Sequence, residues 1–183
     1  MAQEKWKFDT VHSNVSFSVR HLMISRVHGV FKTWSGNLET DDAHPENTKL
    51  TATIEAASID TKESPRDEHL RSADFFDAAN HPTLTFNSTS VQKVDGEHFK
   101  VIGNLTIRGV TKPVTLDVEH FGRQKDPWGG ERAGFSAKTA IDRKDFGLTF
   151  NMPLDGGGVV VGDKVEITLD VQAVKEASAG GAA

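Results

Sequence analysis

Apolar and polar residues alternate along most of the chain with a period of two, the pattern of strands that bury one face. Two weaker segments of this kind lie at residues 29–39 and 83–91. The clearer segments are residues 15–21, 50–56, 99–107, 114–118, 133–137 and 165–171. The alternation therefore predicts about eight strands, each with one apolar face.

Turn-forming residues separate these strands. Asp95-Gly96 lies between two alternating segments, which is a strong hairpin signal because both residues accept the backbone angles of a two-residue turn. Gly109 with Pro113, residues 126–130 and residues 155–158 mark further turns. Consecutive strands joined by short turns predict an antiparallel meander.

One segment has helical rather than strand character. Ser64 suits an N-cap, Pro65 the first turn, and Asp67 the positive end of a helix dipole. The helix is expected to reach about Phe76 and to end before Pro82, because the residue preceding a proline disfavours helical angles. A shorter helical turn is predicted at residues 143–147.

The domain organisation follows from these elements. Residues 176–183 are rich in Ala, Gly and Ser and predict a disordered tail. Residues 1–175 are then one domain, and 183 residues suffice for a single sizeable core.

Strands with one apolar face form either a sandwich or a closed barrel. An up-and-down barrel of eight strands has an interior that holds its own side chains or one small ligand. A filled core would draw Leu and Ile to inward positions, yet here several are small: Ala52, Ala56, Gly103, Ala133 and Ala137. We therefore expect an all-β, eight-stranded antiparallel barrel with an internal cavity.

Composition narrows the partners and the compartment. The net charge is −5 with mixed signs, so nucleic-acid binding, which needs a concentrated basic surface, is not expected. No apolar run is long enough to span a membrane, so stable insertion is not expected. The first six residues lack the apolar stretch of a signal peptide, which favours a cytoplasmic protein; the alternative is a periplasmic or secreted protein whose leader was removed.

Several sequence motifs follow one another along the chain. They are HSNVSFSVRH at 12–21, SRVHGVF at 25–31, RDEHLRSADFF at 66–76, HPTLTF at 81–86, GNLTIRGVTKPV at 103–114 and DRKDFGL at 142–148. In this order and spacing they resemble the YceI-like family of polyisoprenoid-binding proteins. The resemblance covers about residues 6–174, and the series is specific although each motif alone is weak.

The resemblance implies a lipocalin-like extended barrel with a helix near one end. It also implies a carrier that binds a polyprenyl pyrophosphate or a ubiquinone along an apolar pore, with no catalytic residues and no cofactor beyond the lipid. Some members are dimeric, so a homodimer is a further expectation.

Inward parity, with the motif positions, gives the candidate lumen residues. They are Val15, Phe17, Val19, His21, Phe31, Trp34, Ile54, Phe86, Phe99, Leu105, Phe135, Ile167 and Leu169. Candidates to bind a head group at the barrel end are Arg26, His28, Arg143 and Lys144, because arginine in particular donates to phosphates or carbonyls with a bidentate fork.

Two other functions remain open. One is an enzyme acting on a small apolar or isoprenoid substrate with His21 or His69 as base, although no nucleophile elbow accompanies them. The other is a filled barrel that acts through its surface as a stress or interaction protein. The histidines lack the spacing of a metal site and the chain has no Cys, so no metal is expected.

Overall fold

The alternating segments form the predicted strands in the computed structural model, which describes residues 3–177. Within residues 3–177, one α-helix interrupts the β structure: α1, Ser64–Arg71. The strands are β1 (Glu4–Phe8), β2 (Asn14–His21), β3 (Ser25–Phe31), β4 (Trp34–Thr40), β5 (Lys49–Glu55), β6 (Ile59–Asp60), β7 (Thr83–Lys93), β8 (His98–Ile107), β9 (Val110–Lys125), β10 (Glu131–Asp142) and β11 (Val161–Lys175).

The sheet closes on itself. Its antiparallel order is β1-β4-β5-β7-β8-β9-β10-β11, and β11 then pairs with β1, placing Trp6 opposite Lys175. The segments β2, β3 and β6 continue β1, β4 and β5 along the barrel axis, since β2 pairs with β11 and β3 pairs with both β2 and β6. The prediction of an eight-stranded antiparallel barrel is confirmed.

The short strand β1 escaped the sequence prediction, although Trp6 and Phe8 alternate with Lys5 and Lys7. Two inward residues are too few to stand out. The strand exists because β4 and β11 offer it hydrogen-bonding edges on both sides.

Asp9 holds the break between β1 and β2. Its carboxylate accepts from the backbone N–H of Val11 at 3.0 Å, from Arg132 on β10 at 2.7 Å, and shares a 2.7 Å hydrogen bond with Nδ1 of His12. The hydrogen bonds from Arg132 and His12 lower the pKa of Asp9 from 3.8 to about 2. The carboxylate therefore ties the irregular segment to the neighbouring wall.

Glycines let aromatic rings lie against the wall instead of filling the lumen. A Cβ on Gly29 would lie 2.3 Å from the Phe17 ring, and one on Gly103 would lie 2.4 Å from the Phe86 ring. Each ring thus occupies the space over a neighbouring glycine. Gly103 is small because Phe86 packs there, not because the lumen is empty at that point.

The helix is shorter than predicted. α1 ends at Arg71, and the hydroxyl of Ser72 donates to the carbonyl of His69 at 2.6 Å, so the expectation that the helix reaches Phe76 was wrong. The chain turns there because Phe75 and Phe76 pack into the barrel end, which a continued helix would prevent. Ser64 is not the cap either; Glu63 precedes the helix and makes no side-chain cap bond.

The second helical turn is confirmed as a 3-10 helix at Arg143–Phe146. The Asp142 side chain accepts from the N–H of Lys144, and Gly147 ends the turn at φ 79°.

The predicted tail at residues 176–183 lies, after residue 177, outside the described part of the chain. None of the helices between residues 3 and 177 combines the length and apolarity needed to cross a bilayer.

The hydrogen bonds that the Asp9 carboxylate accepts, called the Asp9 clamp here, make a testable contribution to stability. Because the folded-state pKa is depressed, the stabilisation is present above pH 3.8 and is lost as pH falls through about 2. We expect Asp9→Asn to lower the free energy of unfolding by about 1–2 kcal/mol at pH 7, and the difference to shrink as pH falls from 5 to 2. Urea unfolding across this pH range measures it.

The matched control is Asp117→Asn, whose carboxylate is 73% exposed and 4.0 Å from Lys100. This variant should change stability by less than about 0.5 kcal/mol. An Asp9→Asn penalty that stays constant with pH would contradict the clamp.

Candidate ligand-binding cavity

The barrel encloses a cavity of about 450 Å³ along its axis. That volume is in the usual range for small-molecule sites, about 300–1,000 Å³. Aliphatic and aromatic side chains from the wall strands line most of its length, and charged residues lie only towards the two ends. The arrangement suits a long apolar molecule parallel to the barrel axis.

Most of the predicted lumen residues line this cavity. They are Val15, Phe17, Val19, Phe31, Trp34, Ile54, Phe86, Phe99, Leu105, Phe135, Ile167 and Leu169. Seven of them point inward yet are only half-buried: Phe17, Val19, Ile54, Phe99, Phe135, Ile167 and Leu169. Inward apolar side chains that keep solvent-accessible surface face an open space rather than a packed core.

His21 was predicted to line the lumen and does not. It is the last residue of β2, next to the turn at residues 22–24, and the cavity wall on this strand ends at Val19. Alternation along a strand predicts which side chains face the lumen only where that strand is part of the barrel wall. At His21 the hairpin of β2 and β3 extends beyond the wall.

His69 also lies away from the cavity lining. Its ring packs edge-on against Phe75 and Phe150, with centroids 5.0 and 4.8 Å apart, and its Nε2 lies 2.9 Å from a carboxylate oxygen of Asp74. Neither histidine proposed as a base therefore faces a substrate placed in the lumen.

One end of the barrel, called the helix end here, is closed by α1, the residues that follow it and the 3-10 turn. Leu70, Phe75, Phe76, Phe146 and Leu148 fill it from these elements. The helix is tied down because Asp67 accepts from the N–H of Thr61 at 2.9 Å. Asp67, part of the RDEHLR motif, is thus a structural residue.

Arg143 lies at the helix end and is committed mainly to backbone carbonyls. It is 4% exposed and donates to four backbone carbonyls: Gly162 at 2.8 Å, Leu148 at 2.5 Å, Phe150 at 2.9 Å and Val161 at 3.3 Å. Burial lowers its pKa from the ordinary value, against the opposing effect of Asp163. The guanidinium therefore holds the 3-10 turn to β11 and uses four of its five N–H groups for backbone carbonyls.

The other head-group candidates lie outside the lumen. Arg26 is exposed and pairs with Glu166, Lys144 is exposed and lies 3.2 Å from Asp163, and His28 is exposed on β3. None of the three is among the residues that line the cavity. Their outward position follows from strand parity in β3 and from the 3-10 turn, which directs Arg143 inward and Lys144 outward.

Polar groups gather at the opposite end, called the mouth here. The cavity lining there includes Thr40, Asp41, Asp42, Thr48, Lys93, His120 and Arg123. Sequence reasoning missed all of them. His120 continues the parity of Val114, Leu116 and Val118 and was detectable, and it is the histidine that lines the cavity among residues 3–177.

Lys93 and Arg123 were not detectable from parity because each follows a register shift. The pairing of β7 with β8 shifts between Ser88 and Ser90, and that of β9 with β10 shifts at Gly134 and Phe135. An extra residue on one strand reverses the inward set beyond it. On β7 and on β9, even-numbered residues face inward before the shift, and odd-numbered residues face inward after it.

The mouth contains a network of charges centred on Arg123. Its guanidinium lies 2.7 Å from Glu4, 2.8 Å from Asp42 and 3.5 Å from Glu131, and 5.0 Å above the Trp6 ring. Although burial opposes it, hydrogen bonds from Lys175 and Arg123 leave the pKa of Glu4 below 4.5.

His120 stacks on Phe135, with ring centroids 4.8 Å apart. Burial, and secondarily the Arg123 charge, lower the pKa of His120 below 6.5. The imidazole is therefore neutral at pH 7 and presents a polar but uncharged edge to the cavity.

No three His, Asp or Glu side chains between residues 3 and 177 come together as a metal site requires.

Comparison with known proteins agrees with this architecture. Residues 6–173 match the family model for the YceI-like domain. The protein YceI of Salmonella newport is 41% identical over 165 residues, which span 90% of this chain and 83% of that protein.

Solved structures share the fold. The Campylobacter jejuni YCEI protein is 37% identical with a TM-score of 0.73, covering 86% of this chain and 90% of that one. Burkholderia cenocepacia BcnA is 25% identical with a TM-score of 0.80, covering 90% and 98%. A polyisoprenoid binding domain from Saccharophagus degradans is 15% identical with a TM-score of 0.64, covering 92% and 97%, and shows the fold alone.

The bonding of Arg143 predicts a structural role. We expect Arg143→Lys to lower the free energy of unfolding by about 3 kcal/mol or more, because an ammonium cannot reach four carbonyls and leaves buried acceptors unpaired. Arg26→Lys, on an exposed pair, should change it by less than about 1 kcal/mol. Denaturant unfolding measures both, and equal small effects would show that Arg143 is free for another role.

Proposed function

Because this chain belongs to the YceI-like family, we propose that it binds a long apolar ligand in its barrel lumen and carries or sequesters it. The observation that carries the proposal is the set of inward apolar side chains that remain half-buried around an open cavity. A protein that used its barrel only as a scaffold would gain stability by filling that space.

The energetics favour a long aliphatic ligand. Each methylene removed from water contributes roughly 0.8 kcal/mol. A chain of some tens of carbons would reach a gross value beyond real affinities, which saturate at about −20 kcal/mol once association and ordering costs are counted. Apolar burial alone therefore supplies tight binding, and few polar contacts are needed.

The ligand class we propose is a polyisoprenoid or an isoprenoid quinone. The Saccharophagus domain of the same fold is a polyisoprenoid binding domain, which supports the class without naming the ligand. The mouth is where a head group would lie, because the helix end is filled and Arg143 is committed to carbonyls.

We further propose that the protein acts by binding and not by catalysis. His21 and His69 lie outside the cavity lining, and His120, which lines it, stacks on Phe135. Native mass spectrometry of freshly purified protein tests the proposal, and an isoprenoid bound at one per chain is the expected result.

A lumen substitution tests where the ligand lies. Ala137 lines the cavity from β10 and is 6% exposed, between Val118 and Leu169 on the neighbouring strands. We expect Ala137→Phe to weaken binding of the longest polyprenyl chains first, because the ring shortens the space available along the axis. Stability should fall by no more than about 1–3 kcal/mol.

The control is Ala140→Phe, the same change on the exposed face of the same strand. It should leave chain-length preference unchanged. Calorimetric titration with short and long prenols, beside thermal unfolding of each variant, gives both readouts. A large loss of stability in Ala137→Phe with unchanged length preference would mean that the lumen is a core and not a binding site.

A further inference from the structure

The loop between β4 and β5 lies across the mouth, and we infer that its ion pair with Arg123 is the gate through which the ligand enters and leaves. This loop, residues 41–48, is called the mouth strap here. The inference rests on the proposed binding function and adds to it the entrance and the residues that control exchange.

The strap reaches the opposite side of the barrel. Counted around the ring from β1, the strap follows the second position, whereas β9 is the sixth of eight. Asp42 on the strap accepts two hydrogen bonds from Arg123 on β9, at 2.8 and 3.1 Å. A contact between elements that face each other across a closed ring must span its opening.

The strap lies over the cavity as a structured unit. Asp41, Asp42, Pro45 and Thr48 belong to the cavity lining. The Asp41 carboxylate accepts from the backbone N–H groups of Ala43 at 3.0 Å and His44 at 3.2 Å, which fixes the first turn. Its 3-10 helix, Pro45–Asn47, packs against β7. When the strap opens, it therefore moves as one preformed unit.

The two partners of the gate are held very differently. Arg123 is 27% exposed and is fixed by Glu4, Glu131 and the Trp6 ring, whereas the Asp42 side chain is 72% exposed. An exposed ion pair is weak and is screened by salt. The pair can thus open on the Asp42 side while Arg123 keeps its place on the wall.

The helix end offers no comparable route. Aromatic side chains fill it, and Arg143 joins the 3-10 turn to β11 through buried hydrogen bonds that would all have to break. Opening the mouth breaks one ion pair that is exposed on its Asp42 side and separates the strap's 3-10 helix from β7, whereas opening the helix end breaks several buried hydrogen bonds. The geometry therefore places exchange at the mouth.

Ligand exchange kinetics test the gate. The probe is an isoprenoid quinone, which quenches tryptophan fluorescence, and both Trp6 and Trp34 line the cavity. In stopped-flow mixing we expect Asp42→Asn to raise both the association rate and the dissociation rate by about two- to fivefold. A factor of five corresponds to about 1 kcal/mol, the upper value for an exposed pair.

Salt supplies a second readout. Exchange in the wild-type protein should accelerate as ionic strength rises, because the pair is screened, and Asp42→Asn should respond little. Glu166→Gln is the matched control: it removes the exposed pair with Arg26, which lies towards the helix end, and should leave exchange at the wild-type rate.

The outcomes separate the gate from the binding function. Stoichiometric quenching with wild-type rates in Asp42→Asn at every salt concentration would overturn the gate and leave the binding function standing. Faster exchange in Glu166→Gln alone would place the entrance at the helix end and also overturn it. Absence of saturable quenching in the wild-type protein would overturn the binding function, and the gate with it.

Discussion

The rest of the structure depends on the seam at β11. This strand, Val161–Lys175, pairs with β10 along one edge and with both β2 and β1 along the other. Without those pairings the sheet would keep two open edges and expose a continuous apolar face to water. Closing the ring satisfies the edges and encloses the apolar face in one step.

An enclosed apolar surface becomes a cavity only when the side chains do not fill it. Here small residues and rings that lie over glycine, such as Phe17 over Gly29, keep volume open along the axis. The unfilled space sacrifices packing energy, since each missing contact is lost dispersion. A bound apolar chain would restore those contacts, which links the stability of the protein to its occupancy.

The two ends of the barrel differ in the strength of what closes them. At the helix end, buried hydrogen bonds from Arg143 and packed aromatic side chains close the barrel. At the mouth, the strap is held by an ion pair that is exposed on its Asp42 side and by packing of its 3-10 helix against β7. Binding proteins place their low-stability elements where exchange must occur, and this asymmetry gives the cavity a direction.

Period-two alternation was enough to predict most wall segments, their antiparallel pairing and the side that most wall residues face, because side-chain direction in a strand is set by local backbone geometry. It missed β1 and merged the end of β3 with β4 into one segment, residues 29–39. It failed where tertiary structure sets the outcome. Arg143 was predicted to bind a head group, but it donates instead to carbonyls of β11 and of the loop before it. Lys93 and Arg123 face the lumen because register shifts, which depend on the partner strand, reverse the parity behind them. Local sequence determined the wall, whereas the ends were decided by contacts between residues far apart in the chain, such as Asp42 with Arg123, which no local pattern encodes.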